Sequence, residues 1–136
     1  MPKEVSAGAV VFRREEGIKY LLLKYKHEHF DFPRGGIEKG EKEEGTVRRE
    51  IREETGIEDL KIIPGFREKT FWFYKKEGKT FYKEAIFFLA ETKTVEVRLS
   101  EEHLEYQWLS YEDAMKIITF KNGKAILEKA NKFLLS

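Results

Sequence analysis

Short apolar runs, interrupted by charged turns, set the rhythm of the first quarter of the chain. Val5–Phe12 and Tyr20–Tyr25 are rich in Val, Leu and aromatic side chains, which predicts two strands joined by a turn at Glu15-Glu16-Gly17. From Lys26 to Gly40 the apolar rhythm breaks. This stretch reads as a long polar loop holding Pro33, three glycines and two of the three histidines. Between Glu43 and Thr55 the period lengthens to that of a helix. Val47, Ile51 and Thr55 recur at four-residue spacing as a narrow inner face, and Gly56 suits the position just past the helix end. Leu60–Ile63 predicts a short strand stopped by Pro64-Gly65. Arg67–Tyr74 and Thr80–Ala90 predict a hairpin about Lys75-Lys76-Glu77-Gly78-Lys79, with aromatics on both arms. Glu96–Leu99 and Tyr106–Leu109 read as further strands, separated by the acidic loop Ser100-Glu101-Glu102-His103. Tyr111–Ile118 and Lys124–Leu135 close the chain as amphipathic helices. The pattern predicts one mixed α+β domain over residues 1–136, with a central sheet and helices on either side.

Composition narrows the function classes. With 136 residues, 40% of them apolar and 14% aromatic, the chain can bury one substantial core and is not a disordered chain. Lys+Arg number 26 against 25 Asp+Glu, a net charge of +1, so there is no overall basic field for nucleic acid and none is expected as a partner. The longest apolar run, Ala85–Ala90, is far too short to span a membrane. Met1-Pro2-Lys3-Glu4 lacks the apolar core of a signal peptide, which predicts a cytoplasmic protein. The absence of cysteine removes disulfides, thiolate metal sites and thiol nucleophiles. One asymmetry remains: of 25 acidic residues only Asp31, Asp59 and Asp113 are aspartate, and the other 22 are glutamate.

Three of those glutamates are placed for chemistry. Glu50, Glu53 and Glu54 stand at i, i+3 and i+4, so their carboxylates share one helical face. Like charges at this spacing cost an isolated helix a few tenths of a kcal/mol. A hard divalent cation would offset that repulsion, and with no thiolates available Mg²⁺ or Mn²⁺ suits the oxygen set better than Zn²⁺. The plainer alternative is a solvated helix face on which Arg49 pairs with Glu53 at i+4.

The surroundings of this helix resemble the Nudix hydrolase signature. It is met by Gly35, Glu41, Arg49, Glu50, Ile51, Glu53, Glu54, Gly56 and Ile57 without departure. The resemblance implies the Nudix fold, a central mixed sheet sandwiched between helices. It also implies that Glu50, Glu53 and Glu54 bind Mg²⁺ (Mn²⁺ as an alternative), that Arg49 orients one of them, and that a backbone carbonyl at Arg34 or Gly35 adds a ligand. Glu41 then bonds the loop to itself. The implied reaction is hydrolysis of a nucleoside diphosphate linked to another group, with Glu53, Glu54 or the more distant Glu102 serving the metal and taking the water proton.

Within the family the chain is most similar to the asymmetrical diadenosine tetraphosphate (Ap4A) hydrolases. Ser6–Arg13, then Arg98-Leu99-Ser100-Glu101-Glu102-His103 leading through Tyr106 to Trp108-Leu109, and Phe120-Lys121 carry that likeness. Such enzymes cut Ap4A into ATP and AMP. The likeness implies an adenine-stacking ring at Trp72 or Tyr74, which lie on the same side of one strand. Phe120 would supply the opposing ring, and Arg34 and Lys83 the cations for phosphate. His29 reads as a surface residue that can reach phosphate. Monomer and homodimer both stay open. The alternatives are a broader pyrophosphohydrolase acting on nucleoside triphosphates, RNA 5′ ends or diphosphoinositol phosphates, and a silent nucleotide-binding domain. The intact carboxylate set argues against the last.

Overall fold

The computed structural model describes residues 3–136; Met1 and Pro2, part of the reading against a signal peptide, lie outside the described residues. In chain order the elements are β1 (Lys3–Arg14), β2 (Ile18–Tyr25), β3 (Phe30–Asp31), β4 (Arg34–Gly36), α1 (Glu43–Thr55), β5 (Lys61–Lys76), β6 (Lys79–Glu91), β7 (His103–Leu109), α2 (Tyr111–Ile117) and α3 (Lys121–Leu135). The strands make one mixed sheet in the order β3-β2-β1-β6-β5, with β4 added on β1 and β7 on β2. β1 runs parallel to β6 over Lys3–Phe12 and antiparallel to its other neighbours.

The continuous apolar run of β1 is explained by cover on both faces. Val10 and Phe12, with Tyr20 and Leu22 of β2, pack with Ala114, Ile126, Leu127 and Ala130 of α2 and α3. Ala7, Ala9 and Val11, with Leu21 and Leu23, pack on Val47 and Ile51 of α1. The Nudix fold expected from the motif is therefore present: a mixed sheet between α1 on one side and the α2–α3 pair on the other. Among the described residues no helix is long and apolar enough to cross a membrane.

β1 also divides along its length. Phe12–Arg14 pair with β2, whereas Ser6–Gly8 pair with Gly36–Arg34 of β4. This handover brings the polar loop across the sheet toward α1. It requires glycine at position 8, because a Cβ there would lie 2.2 Å from the Pro33 carbonyl and 2.5 Å from the Arg34 Cβ.

Several predicted boundaries shift. The 26–40 loop contains two short strands, β3 and β4. The predicted strands Leu60–Ile63 and Arg67–Tyr74 merge, from Lys61 on, into a single long strand, because the sheet absorbs Pro64-Gly65 as an irregularity between Ile62 and Arg67. Lys121 rather than Lys124 begins the last helix, and β7 reaches back to His103. The predicted strand at Glu96–Leu99 is absent. Val97 is buried, but the backbone there serves the end of α1 instead of the sheet. Arg98 N–H donates to the Thr55 carbonyl at 2.9 Å and Ser100 N–H to the Glu54 carbonyl at 3.3 Å. A helix C-terminus offers unpaired carbonyls, and this segment satisfies two of them.

Candidate active site

α1 and β4 meet where the glutamates of the motif lie. Gly35 passes so close to α1 that a Cβ on it would fall 2.0 Å from the Glu50 carboxyl carbon and 2.1–2.4 Å from its oxygens. The Arg49 guanidinium organises the rim of this contact. It donates Nε–H to Glu41 Oε2 at 2.7 Å and Nη2–H to Glu41 Oε1 at 3.0 Å. Its Nη1 donates to Glu50 Oε1 at 2.8 Å and to Glu53 Oε1 at 2.9 Å, and its Nη2 to the Gly36 carbonyl at 3.0 Å. The planar fork of arginine makes these bonds at once; a lysine ammonium could not.

Glu41 bonds the loop to itself, as expected, and to the helix. It accepts from Glu38 N–H at 3.1 Å and from the Thr46 hydroxyl at 2.6 Å. The Arg49 bonds, then that of Thr46, hold its carboxyl down to about 2.

Glu54 differs from its neighbours. It is 4% exposed, and its Oε1 has no hydrogen-bond partner. Burial first, then the adjoining Glu50 carboxyl and the charge of Glu102, push its pKa up to about 9. Facing it at 3.5 Å is Nε2 of His103, equally buried and also without a partner. A buried carboxyl crowded by other carboxyls lacks positive charge. The residues present therefore fit a hard divalent cation, which Glu54 and Glu50 could hold. Among the described residues no three acidic or histidine side chains already converge as a closed chelate. Arg49 holds Glu53, whose side chain is 49% exposed, at the rim. Glu102 sits exposed in the turn before β7.

Beside this face lie two cavities. The larger, of about 440 Å³, is lined by Arg34, Trp72, Lys83 and Phe120, with Asp31 and Asn122. The smaller, of about 330 Å³, is lined by Ser6, Tyr25, Gly35, Gly36 and Glu84. Arg34, Lys83 and His29 line both, so the two form one cleft. Arg34 is placed between them: its guanidinium carbon stands 5.0 Å from the Trp72 ring centre, and its Nη2 lies 3.6 Å from Asp31 Oδ2. Lys83 lies opposite Trp72 in the β5–β6 ladder, its Nζ 3.5 Å from Glu4 Oε2.

The two ring candidates on β5 separate here. Trp72 lines the larger cavity, and Phe120, 53% exposed at the start of α3, lines it too. Tyr74 points to the same side but one rung outward. It stacks on Phe81 at 5.1 Å, donates its hydroxyl to Glu4 Oε1 at 3.1 Å, and is outside the cavity lining.

Two further groups of the 26–40 stretch belong to the site: His29, which the sequence places at the surface within reach of phosphate, and Asp31, which it does not single out. His29 is a half-buried wall residue rather than a surface one: it stacks flat on Tyr25 at 4.8 Å and stands 5.3 Å from Phe120. Asp31 is buried at the cavity, accepts from Phe32 N–H at 2.7 Å, and is pushed above the usual carboxyl range by burial. The proximity of both to Gly35 in the chain was the one available hint.

Comparison with known proteins adds the following. The NUDIX domain model matches residues 2–129. The asymmetrical bis(5′-nucleosyl)-tetraphosphatase of Mus musculus is 39% identical, covering 96% of this chain and 95% of that one. The corresponding Caenorhabditis elegans protein is 35% identical over 95% of each. A crystal structure of a C. elegans Ap4A hydrolase binary complex superposes with a TM-score of 0.84 at 33% identity, covering 97% of this chain and 98% of that one. The Escherichia coli dihydroneopterin triphosphate pyrophosphohydrolase, at 19% identity and a TM-score of 0.76, shares the fold.

Proposed function

The chain belongs to the Nudix hydrolase family, and on that premise we propose that it cleaves diadenosine tetraphosphate asymmetrically, to ATP and AMP, as a single cytoplasmic domain using Mg²⁺. The observation that supports this most is the continuous cleft. It leads from Gly35, which abuts Glu50 of α1, past Arg34 and Lys83, to an aromatic cavity large enough for a nucleobase.

In this reading Glu50, Glu53, Glu54 and Glu102, with the Gly35 carbonyl, would hold the cation. Bound there, Mg²⁺ supplies Lewis-acid polarisation of the phosphoryl oxygens and a more acidic water. The protein's own groups do the rest. Arg34 and Lys83 neutralise the phosphate chain on the two sides of the cleft. Trp72, with Phe120, holds one adenine by stacking, an interaction worth about 1–3 kcal/mol and tolerant of the base. Arg49 keeps Glu50 and Glu53 turned toward the site. Glu102, exposed in the turn that is tied to the end of α1, accepts the proton of the attacking water as its oxygen joins phosphorus and the bridging P–O bond breaks.

The mouse and nematode relatives carry the asymmetrical tetraphosphatase name across nearly their whole length, which supports this substrate class over a broader pyrophosphohydrolase. Incubation of the protein with Ap4A and Mg²⁺, followed by anion-exchange chromatography, should yield ATP and AMP in equal amounts. Two molecules of ADP, or no product, would overturn the proposal.

A further inference from the structure

The turn that carries Glu102 is tied to one residue of α1. Ser100 N–H donates to the Glu54 carbonyl at 3.3 Å, and His103 N–H closes the turn on the Ser100 carbonyl at 3.2 Å. The side chains repeat the link. His103 Nδ1 stands 2.9 Å from Ser100 Oγ, and on the far edge of the ring its Nε2 meets Glu54 Oε1 at 3.5 Å. The His103 side chain is fully buried and that of Glu54 is 6% exposed, so water does not reach the gap between them. Neither of the two facing atoms has a hydrogen-bond partner elsewhere or a closed bond to the other, at 3.5 Å. Two orphaned buried polar atoms are costly unless each serves the other.

The ring has little freedom to turn away. Tyr25 meets it edge-on, with ring centres 4.5 Å apart at 68°, and Tyr25 is anchored by its hydroxyl on the Phe32 carbonyl at 2.7 Å. A Ser100 hydroxyl that donates to Nδ1 puts the imidazole proton on Nε2, the nitrogen that faces Glu54. A carboxylate held through one oxygen by a fixed donor has its other oxygen fixed as well. The Glu54 carboxyl also adjoins the Glu50 carboxyl and the Arg34 backbone N–H.

We propose that His103 is a positioning residue for Glu54: its Nε2–H donates to Oε1 and sets the rotation of the carboxylate, while Ser100 sets the histidine tautomer. The inference rests on the role of Glu54 as a cation ligand proposed above. It gives the Ser100–His103 turn two tasks, to present Glu102 to the site and to hold the ligand it faces. Outer partners of this kind change metal affinity by about 10–100-fold when removed.

The test is Mn²⁺ binding to the full chain, followed by calorimetry or by the electron paramagnetic resonance signal of free Mn²⁺, with thermal melting in parallel. His103→Leu, which keeps the volume but not the donor, should weaken Mn²⁺ about 10–100-fold while the protein still melts cooperatively. His103→Gln, which retains an N–H donor, should restore most of the affinity, and Ser100→Ala should lie between. With Ap4A the Leu variant should lose kcat while keeping KM, because the stacking cavity is untouched. Mn²⁺ affinity unchanged in His103→Leu but lost in Glu54→Gln would overturn the role of His103 and leave the metal site standing. Equal losses in the Leu and Gln variants would indicate packing alone and overturn it too. If Glu54→Gln binds Mn²⁺ as the parent does, the ligand assignment itself fails and the inference with it. Should the Leu variant not fold, unchanged affinity in Ser100→Ala overturns the proposed relay.

Discussion

Gly35→Ala should separate cation binding from folding. The backbone at Gly35 is not in the left-handed region, so alanine brings no conformational strain. What it brings is a methyl group 2.0 Å from the Glu50 carboxyl carbon. To reach ordinary contact at 3.4 Å the carboxylate must retreat by about 1.4 Å, which takes it off Arg49 Nη1, now 2.8 Å away. A charge-assisted bond of this kind is worth about 1.5–3 kcal/mol when shielded. With both side chains about a fifth exposed the low end applies. Replacing glycine returns about 0.4–1 kcal/mol through the unfolded chain. The net cost is about 1 kcal/mol, a fall in Tm of about 3–4 °C for a chain this size. Cation affinity should suffer much more, because Mg²⁺ tolerates little departure from ideal ligand distances. A loss of at least 10–100-fold, the range for disturbing groups around a ligand, is expected. The assay is Mn²⁺ titration of Gly35→Ala, Glu50→Ala and the double variant. If alanine acts by displacing Glu50, the two effects are not additive, and the double variant binds no worse than Glu50→Ala. Additive losses, or wild-type affinity in Gly35→Ala, would refute the reasoning.

Two further outcomes can be measured. Trp72→Ala should raise KM for Ap4A by about 5–150-fold, the equivalent of one lost base stack, with kcat little changed; an unaltered KM sinks the stacking role, and a larger effect in Tyr74→Ala would move it one rung along β5. The metal-free protein should lose stability as pH rises from about 4.5 toward 9. The folded state holds a proton on Glu54 that the unfolded chain releases near 4.5, so this contribution is complete below that pH and is lost as pH passes the folded value near 9. Saturating Mn²⁺ should remove the slope, and a Glu54→Gln variant without metal should lack it; melting curves across pH read both.

Local order was legible in the chain because its causes are local. Val47 and Ile51 repeat at helical spacing, and the carboxylates of Glu50, Glu53 and Glu54 share a face by the geometry of any α-helix. The hairpin of β5 and β6 follows in the same way from aromatic alternation about Glu77-Gly78. Alternation fails at Glu96–Leu99. Val97 is buried as the pattern expects, yet the pattern cannot say whether a sheet or a helix end supplies the backbone partners. The same limit applies at Trp72 and Tyr74, which a two-residue period places on one side alike. Which ring borders a cavity depends on where α3 begins, some fifty residues further on.

The sequence by itself therefore determined the family, the glutamate-bearing helix and the glycine that must lie against it. The family follows from the resemblance of a nearly contiguous motif and the domain match over residues 2–129, the shared carboxylate face from helix geometry, and the glycine from excluded volume. The tertiary structure decided the rest: that Arg34 and Lys83 line one cleft, that Glu54 is buried with its Oε1 unpartnered beside Glu50, and that His103 faces it. Each of these depends on residues from distant parts of the chain. β1 joins β6 in parallel and hands its other edge from β2 to β4, and periodicity within a single element contains no information about such a crossing. The abundance of glutamate resolves on the same ground. Composition counts the carboxylates, but the fold buries only Glu54 and Glu84 among the described glutamates, and of these Glu84 is paired with Lys3 and Lys69 whereas Glu54 is crowded by other carboxyls.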